Sequence, residues 1–270
     1  MDKVVVFSPS RYSLYTICAV ELLRRNGVEV AAIFVRRLLN PARFLSEFRR
    51  DGARLLRKIW RKLVLRQHAA ASLPYDTWAT FMKREQISRR SVEDFAADGI
   101  PVFYCQDLNE PAVLARLEAL QPRLAVFTGG GLLRAELLKR CGEGVLNCHA
   151  GILPRYRGMD VIEWAILEGQ FDQVGCTVHF MDQGVDTGDI LRIRPIDLLP
   201  GDELRYLRDR FEPLMCQEIV AACLDVLQGW AQRLPQPAEA GYQYFIMHPA
   251  LVRLAQERLV RFLTARNLSA

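Results

Sequence analysis

The sequence predicts an α/β fold: a doubly wound, mostly parallel, Rossmann-like sheet with an antiparallel edge hairpin and a C-terminal helical extension. Three observations predict it. Short runs rich in β-branched residues alternate with helical stretches from the start of the chain, which is the order of βαβ units. A later pair of runs is joined by a tight acidic, glycine-containing loop, as in a hairpin. The last third is dominated by helical periodicity.

In order, residues 4–8 read as a strand, 12–25 as a helix stopped by Asn26-Gly27, and 28–35 as a second strand. Residues 88–97 look helical and end at Asp98-Gly99. A strand at 102–105, a helix at 110–120 and a strand at 124–128 follow, then a helix at 132–139 and a strand at 145–148. After a helix at 161–167, residues 174–181 alternate Val174, Cys176, Val178 and Phe180 with Gly175, Thr177, His179 and Met181, the period of a strand with one face buried. Residues 190–196 pair with it as a hairpin. A long helix opens at Asp202 and runs to about Gly229, and a second spans 249–265. This order divides the chain into a catalytic domain at 1–200, with a basic helical insert at about 37–70, and an extension at 201–270.

Of the 270 residues, 50% are apolar and 25% charged, the composition of a soluble globular chain. The longest apolar runs, such as 4–7 and 30–35, fall far short of the roughly 20 residues of a membrane span, and no secretory signal opens the sequence, so a cytoplasmic location is expected. Seven scattered cysteines without a C-x-x-C pair are expected to be buried free thiols, with no metal site. The net charge of +5 hides an asymmetry: residues 36–66 hold eleven Lys or Arg against Glu47 and Asp51, a local +9, which leaves −4 for the rest. That stretch has the spacing of a basic amphipathic helix, either a solvated face or a surface for anionic ligands or membrane.

Ligands of doubly wound sheets bind beyond the carboxyl ends of the strands. There, Asn147 and His149 stand two residues apart, so both side chains point the same way. An amide donor beside an imidazole suits acyl transfer to an amine, which needs an oxyanion donor and a group that titrates near neutrality. Asp186, in the acidic loop, is placed to orient the imidazole, whereas Cys148 should point away. On pattern alone, packing roles for His149 and His179 and a turn role for Asp186 stay open.

The run Asn147-Cys148-His149-Ala150-Gly151-Ile152-Leu153-Pro154-Arg155-Tyr156-Arg157-Gly158, the later Trp164-Ala165-Ile166 and Glu168-Gly169, and Gly175-Cys176-Thr177-Val178-His179 leading into Met181-Asp182-Gln183-Gly184-Val185-Asp186-Thr187-Gly188-Asp189-Ile190 together resemble the catalytic half of the folate-dependent formyltransferases. That family includes enzymes acting on methionyl-tRNA, on glycinamide ribonucleotide and on nucleotide-linked amino sugars. The resemblance covers roughly residues 120–200. It implies that Asn147, His149 and Asp186 form the catalytic triad of an N-formyltransferase moving a formyl group from 10-formyltetrahydrofolate to a primary amine. It also implies that Gly130, Gly131, Leu132, Leu133, Asp182 and Val185 hold the donor.

Acceptor contacts are expected from Ser8, Ser10, Arg11, Tyr156 and Arg157. The loop Ser8-Pro9-Ser10-Arg11-Tyr12 lacks the Gly-Ser-rich character of the glycinamide ribonucleotide enzymes, and the residues after about 230 are too few for the further β-barrel of the methionyl-tRNA enzymes. The expected acceptor is therefore a small, anionic amine, such as a nucleotide-linked amino sugar, and no stable nucleic-acid partner is expected. Another small amine, such as an amino acid or a hydroxyornithine-like compound, or methionyl-tRNA stays open as acceptor, as do a homodimer and a weak membrane contact through the insert.

Overall fold

The computed structural model describes residues 2–37, 77–237 and 239–268. Apart from Arg36 and Arg37, the basic stretch read from the sequence lies outside these residues.

Seven strands form one sheet in the order β3-β2-β1-β4-β5-β7-β8. β1 (Lys3–Ser8), β2 (Glu29–Arg36), β3 (Val102–Cys105), β4 (Leu124–Phe127) and β5 (Val145–His149) run parallel, while β7 (Gly175–Phe180) is antiparallel to β5 and to the edge strand β8 (Ile190–Pro195). The order reverses between β1 and β4, which puts the topological switch beside the site. The predicted fold class is therefore the one found.

The elements follow from local chemistry. Ser13 caps α1 (Leu14–Arg25) by accepting from Thr16 N, and Gly27, at φ +77, closes its C-terminal turn. Val4 through Phe7 of β1 are fully buried, as the central strand of a sheet covered on both sides must be. One face packs against α1 and the 24-residue α6 (Leu204–Leu227) through residues such as Ile17, Phe211 and Ile219; α2 (Trp78–Arg84) also contributes here. The other face packs under α3 (Pro111–Leu120) and α4 (Ala135–Leu138) through Phe7, Phe34, Leu117 and Leu137. The last helix, α7 (Pro249–Leu268), lies on α5 (Val161–Leu167), and the Phe171 and Phe262 rings stack 3.8 Å apart.

Three local expectations change. The helix expected at 132–139 shrinks to the single turn of α4, and that at 88–97 becomes a 3-10 segment, Val92–Asp98, closed by left-handed Gly99. β7 is buried at every position, so its alternation separates core from site rather than core from solvent. The sequence reading also lacked a two-stranded sheet in which β6 (Tyr156–Gly158) pairs in parallel with β9 (Tyr242–Tyr244). All seven cysteines are free and buried, and burial pushes the thiols of Cys18, Cys105, Cys141 and Cys223 up to about 12. Among the described residues no helix is long and apolar enough to cross a membrane.

Candidate active site

β5 delivers Asn147 and His149 to one side of the sheet, while Leu146 and Cys148 go into the core on the other. The antiparallel register sets Asn147 opposite His179 and His149 opposite Thr177. Two imidazoles therefore meet on this face, their ring centroids 6.5 Å apart. Asp186 closes the cluster: its Oδ2 lies 3.4 Å from His149 Nδ1 and accepts the Gly158 N–H at 2.9 Å, and its Oδ1 lies 3.5 Å from His179 Nε2.

The hydrogen-bond partners assign the tautomers. His149 Nε2 lies 2.9 Å from the Tyr156 carbonyl, which can only accept, so Nε2 carries the proton and Nδ1 turns its lone pair toward Asp186. His179 Nδ1 donates to the Phe180 carbonyl at 2.8 Å, leaving Nε2 to accept from Asn147 Nδ2 at 3.2 Å. One amide hydrogen of Asn147 is thereby fixed, and the other is free to reach a neighbouring oxygen.

Burial pushes the His149 pKa below its ordinary value; Asp186 opposes this, while His179 and Arg208 act with it. The imidazole is thus neutral at rest, yet both of its nitrogens face acceptors, so protonation completes its hydrogen bonds. Burial would raise the Asp186 carboxyl, but the Gly158 N–H and the imidazolium forms that His179 and His149 take in acid more than reverse that and hold it at about 2. The arrangement offers a neutral base, a carboxylate that stabilises its cation, and an oriented amide donor.

The other expected residues fall in varied places. Ser8 is fully buried, and its hydroxyl donates to Ser10 O at 2.8 Å and joins a chain through Thr16 and Thr128. Arg11 stacks over Tyr12 and pairs with Glu93 at 3.4 Å. Tyr156 is buried, donates its hydroxyl to Glu168 and lends its carbonyl to His149. Arg157 is buried too, with Nη2 donating to Gln236 Oε1 and Pro237 O.

The loop after β4 leaves the sheet at the level of Asn147, opposite Phe127, and the loop after β7 leaves on the other side of β5. In the first, Arg36 Nη1 donates to Gly130 O, and Gly131 holds a φ of +110 that favours glycine, the nearest neighbour of a Cβ there being the movable end of Arg36 at 2.6 Å. Leu133 is buried and Leu132 is 74% exposed. In the second, Asp182 accepts from Gly184 N and Thr187 Oγ1 and so shapes the turn, while Val185 is partly exposed. His179 and Gln236 were not anticipated as site residues. The alternation of Thr177 and His179 puts both on one face of β7, but only the pairing with Asn147 and His149 marks that face as the site; Gln236, between two prolines, carries no signal.

A family profile described as formyl transferase matches residues 73–223, more than half of the chain. The chain belongs to the formyl transferase family. Among curated relatives, the methionyl-tRNA formyltransferase of Geobacter metallireducens is 39% identical over 131 residues, 48% of this chain and 42% of that protein. The one from Symbiobacterium thermophilum is 35% identical over 144 residues, 53% of this chain and 44% of that protein. The match thus spans less than half the length of these relatives.

Among solved structures, a sugar N-formyltransferase from a Shewanella species superposes with a TM-score of 0.59 at 14% identity, covering 96% of this chain and 88% of that one. An N-formyltransferase from Helicobacter canadensis, in complex with folinic acid and dTDP-3-aminofucose, gives 0.56 at 14%, covering 96% and 81%. Glycinamide ribonucleotide transformylase 1 from Symbiobacterium toebii gives 0.58 at 20%, covering 87% and 94%. At these identities the likeness is one of fold, and this member of the family shares it along most of its length.

Proposed function

We propose that the protein transfers a formyl group from 10-formyltetrahydrofolate to the primary amine of a small acceptor, a nucleotide-linked amino sugar being the favoured class. The observation that carries the reading is the Asn147–His149–Asp186 cluster with its assigned protons. The amine nitrogen bonds to the formyl carbon, and the free Asn147 N–H stabilises the oxyanion that develops. His149 takes the amine's proton at Nδ1, directly or through water, and the imidazolium is then held by Tyr156 O and Asp186. The carbon–nitrogen bond to the donor breaks, and the proton leaves with the donor's nitrogen.

The bound 10-formyltetrahydrofolate would supply the activated formyl carbon. The residues present suit such a donor: Leu132 and Val185, one in each flanking loop, expose apolar side chains that a planar heteroaromatic ring can cover. The amino-sugar reading is supported by the extent of the sugar N-formyltransferase likeness, which continues through β9 and α7.

A second reading, methionyl-tRNA as acceptor, is favoured by the curated relatives and by the +9 stretch at 36–66. Incubation with 10-formyltetrahydrofolate and either amino-sugar nucleotides, simple amino acids or methionyl-tRNA, followed by mass spectrometry for an added formyl group, decides between them. A tRNA acceptor must also show affinity that falls steeply with salt, since each phosphate neutralised releases counterions. No formyl addition to any amine would overturn both readings.

A further inference from the structure

Asp186 holds an unusual backbone for a residue with a side chain, at φ +54. Left-handed backbone at a non-glycine residue persists where its surroundings hold it. Here the holder is Gln236, whose Nε2 donates to both Asp186 O at 3.1 Å and Gly188 O at 2.6 Å. Both hydrogens of one amide thus staple the turn from the back. Gln236 is itself placed by Leu234, which exchanges backbone hydrogen bonds with Ile190 at 2.9 Å in each direction.

The orientation of that amide is settled by chemistry. Arg157 Nη2 lies 3.2 Å from Gln236 Oε1 and also donates to Pro237 O. A guanidinium cannot accept, so the amide oxygen must face Arg157 and the nitrogen must face the loop. Strand β6 therefore acts on Asp186 twice: Gly158 N–H binds the carboxylate, and Arg157, one residue earlier, fixes the amide that binds its carbonyl.

We propose that Gln236 is a positioning residue of the formyl-transfer site, holding Asp186 left-handed so that its carboxylate stays between His149 and His179. The inference rests on the proposed function for its catalytic consequence, though not for its structural one. Without the staple, Asp186 relaxes toward negative φ and its carboxylate moves off His149. The charged and titratable groups facing His149 are Asp186, His179 and Arg208, and of these Asp186 alone favours the imidazolium. Its withdrawal lowers the pH at which His149 titrates.

The test compares wild type, Gln236→Met and Asp186→Asn. Methionine keeps the length of the side chain and adds no charge, but removes both donors. The chain has only 4 histidines, so nitrogen-15 NMR titration can follow His149 without any assay of turnover. The expected result is a folded Gln236→Met protein whose His149 titrates at lower pH than in wild type, in the same direction as in Asp186→Asn. Its kcat falls about tenfold or more with donor KM within about twofold, and the acidic limb of its pH profile moves down.

A folded variant whose His149 titrates as in wild type overturns the inference. If Gln236→Met fails to fold, Gln236→Ala, which leaves room for water at the two carbonyls, is read in the same way. Failure of the functional reading looks different: the wild-type protein then adds no formyl group to any amine, while the NMR titration still decides on Gln236.

Discussion

His149 sits between two acceptors in a buried pocket, and its mechanistic value depends on that conflict between burial and hydrogen bonding. Replacing it by Ala should lower turnover by about 10²- to 10⁴-fold with donor affinity retained, and near-normal turnover would remove it from the reaction. Asn147→Ala should cost about 10²- to 10³-fold in kcat, the worth of one oxyanion donor, and a pure KM effect would make it a binding group instead. Gly151 tests the pocket from another side. A Cβ there would stand 2.8 Å from His149 Nε2 and 2.7 Å from Val161 Cγ2, so Gly151→Ala must push the ring off the Tyr156 carbonyl. We expect a folded protein, destabilised by about 1–3 kcal/mol, whose transfer rate falls more than its thermal stability suggests; unchanged kinetics would show that the ring has room. At this scale the sequence was informative where side-chain period two meets a strand end, which is why Asn147 and His149 could be read together. His179 was not readable in that way. Its polar position on β7 looks the same whether the opposite face meets water or a reacting group, and only the pairing with β5 tells the two apart.

Elements whose pattern is local were legible, and elements made by distant pairing were not. The βαβ order followed from alternating hydrophobic periods, and the end of α1 from its Asn26-Gly27 stop. β6 and β9 are three residues each and meet across more than eighty residues of chain, so neither carries a pattern of its own. Yet this pair brings Gly158 to Asp186 and seats the Tyr244 ring 5.2 Å from that of Tyr156. The last helix shows how such long-range placement is stabilised. On α7, Leu259 is fully buried against the core that includes α5, while the adjacent Val260 is half exposed. Leu259→Ala should therefore cost about 2–5 kcal/mol in urea unfolding, from lost burial plus the cavity left behind. Val260→Ala should stay within about 0.5 kcal/mol. Equal effects from the two would mean that α7 does not dock on α5 through this face.

For the molecule as a whole, the site that supports transfer also sets how stability depends on pH. The Asp186 carboxyl is held at about 2 in the fold, against 3.8 when unperturbed. Its contribution is fully present above the unfolded value and is lost as pH falls from about 4 toward about 2, at most about 2 kcal/mol in all. His149 acts in the same direction for a different reason. Its folded pKa lies below 6.5, so below that pH the unfolded chain binds a proton that the buried imidazole does not. Stability therefore falls as pH drops through 6.5 and stops falling on this account once the folded His149 also protonates. Glu21 and Glu93, both held below the usual carboxylate range despite burial that would raise them, add to the acid side through Arg89 and Arg25 and through Tyr104. The unfolding free energy should thus be flat between about pH 7 and 8, should fall above that as the unfolded chain ionises thiols that the fold keeps protonated, and should decline on the acid side in two stages, one below 6.5 and one below about 4. His149→Gln should remove the first stage and leave the second. Urea titrations at closely spaced pH values measure this, and a first stage that persists in His149→Gln would place the controlling histidine elsewhere in the chain.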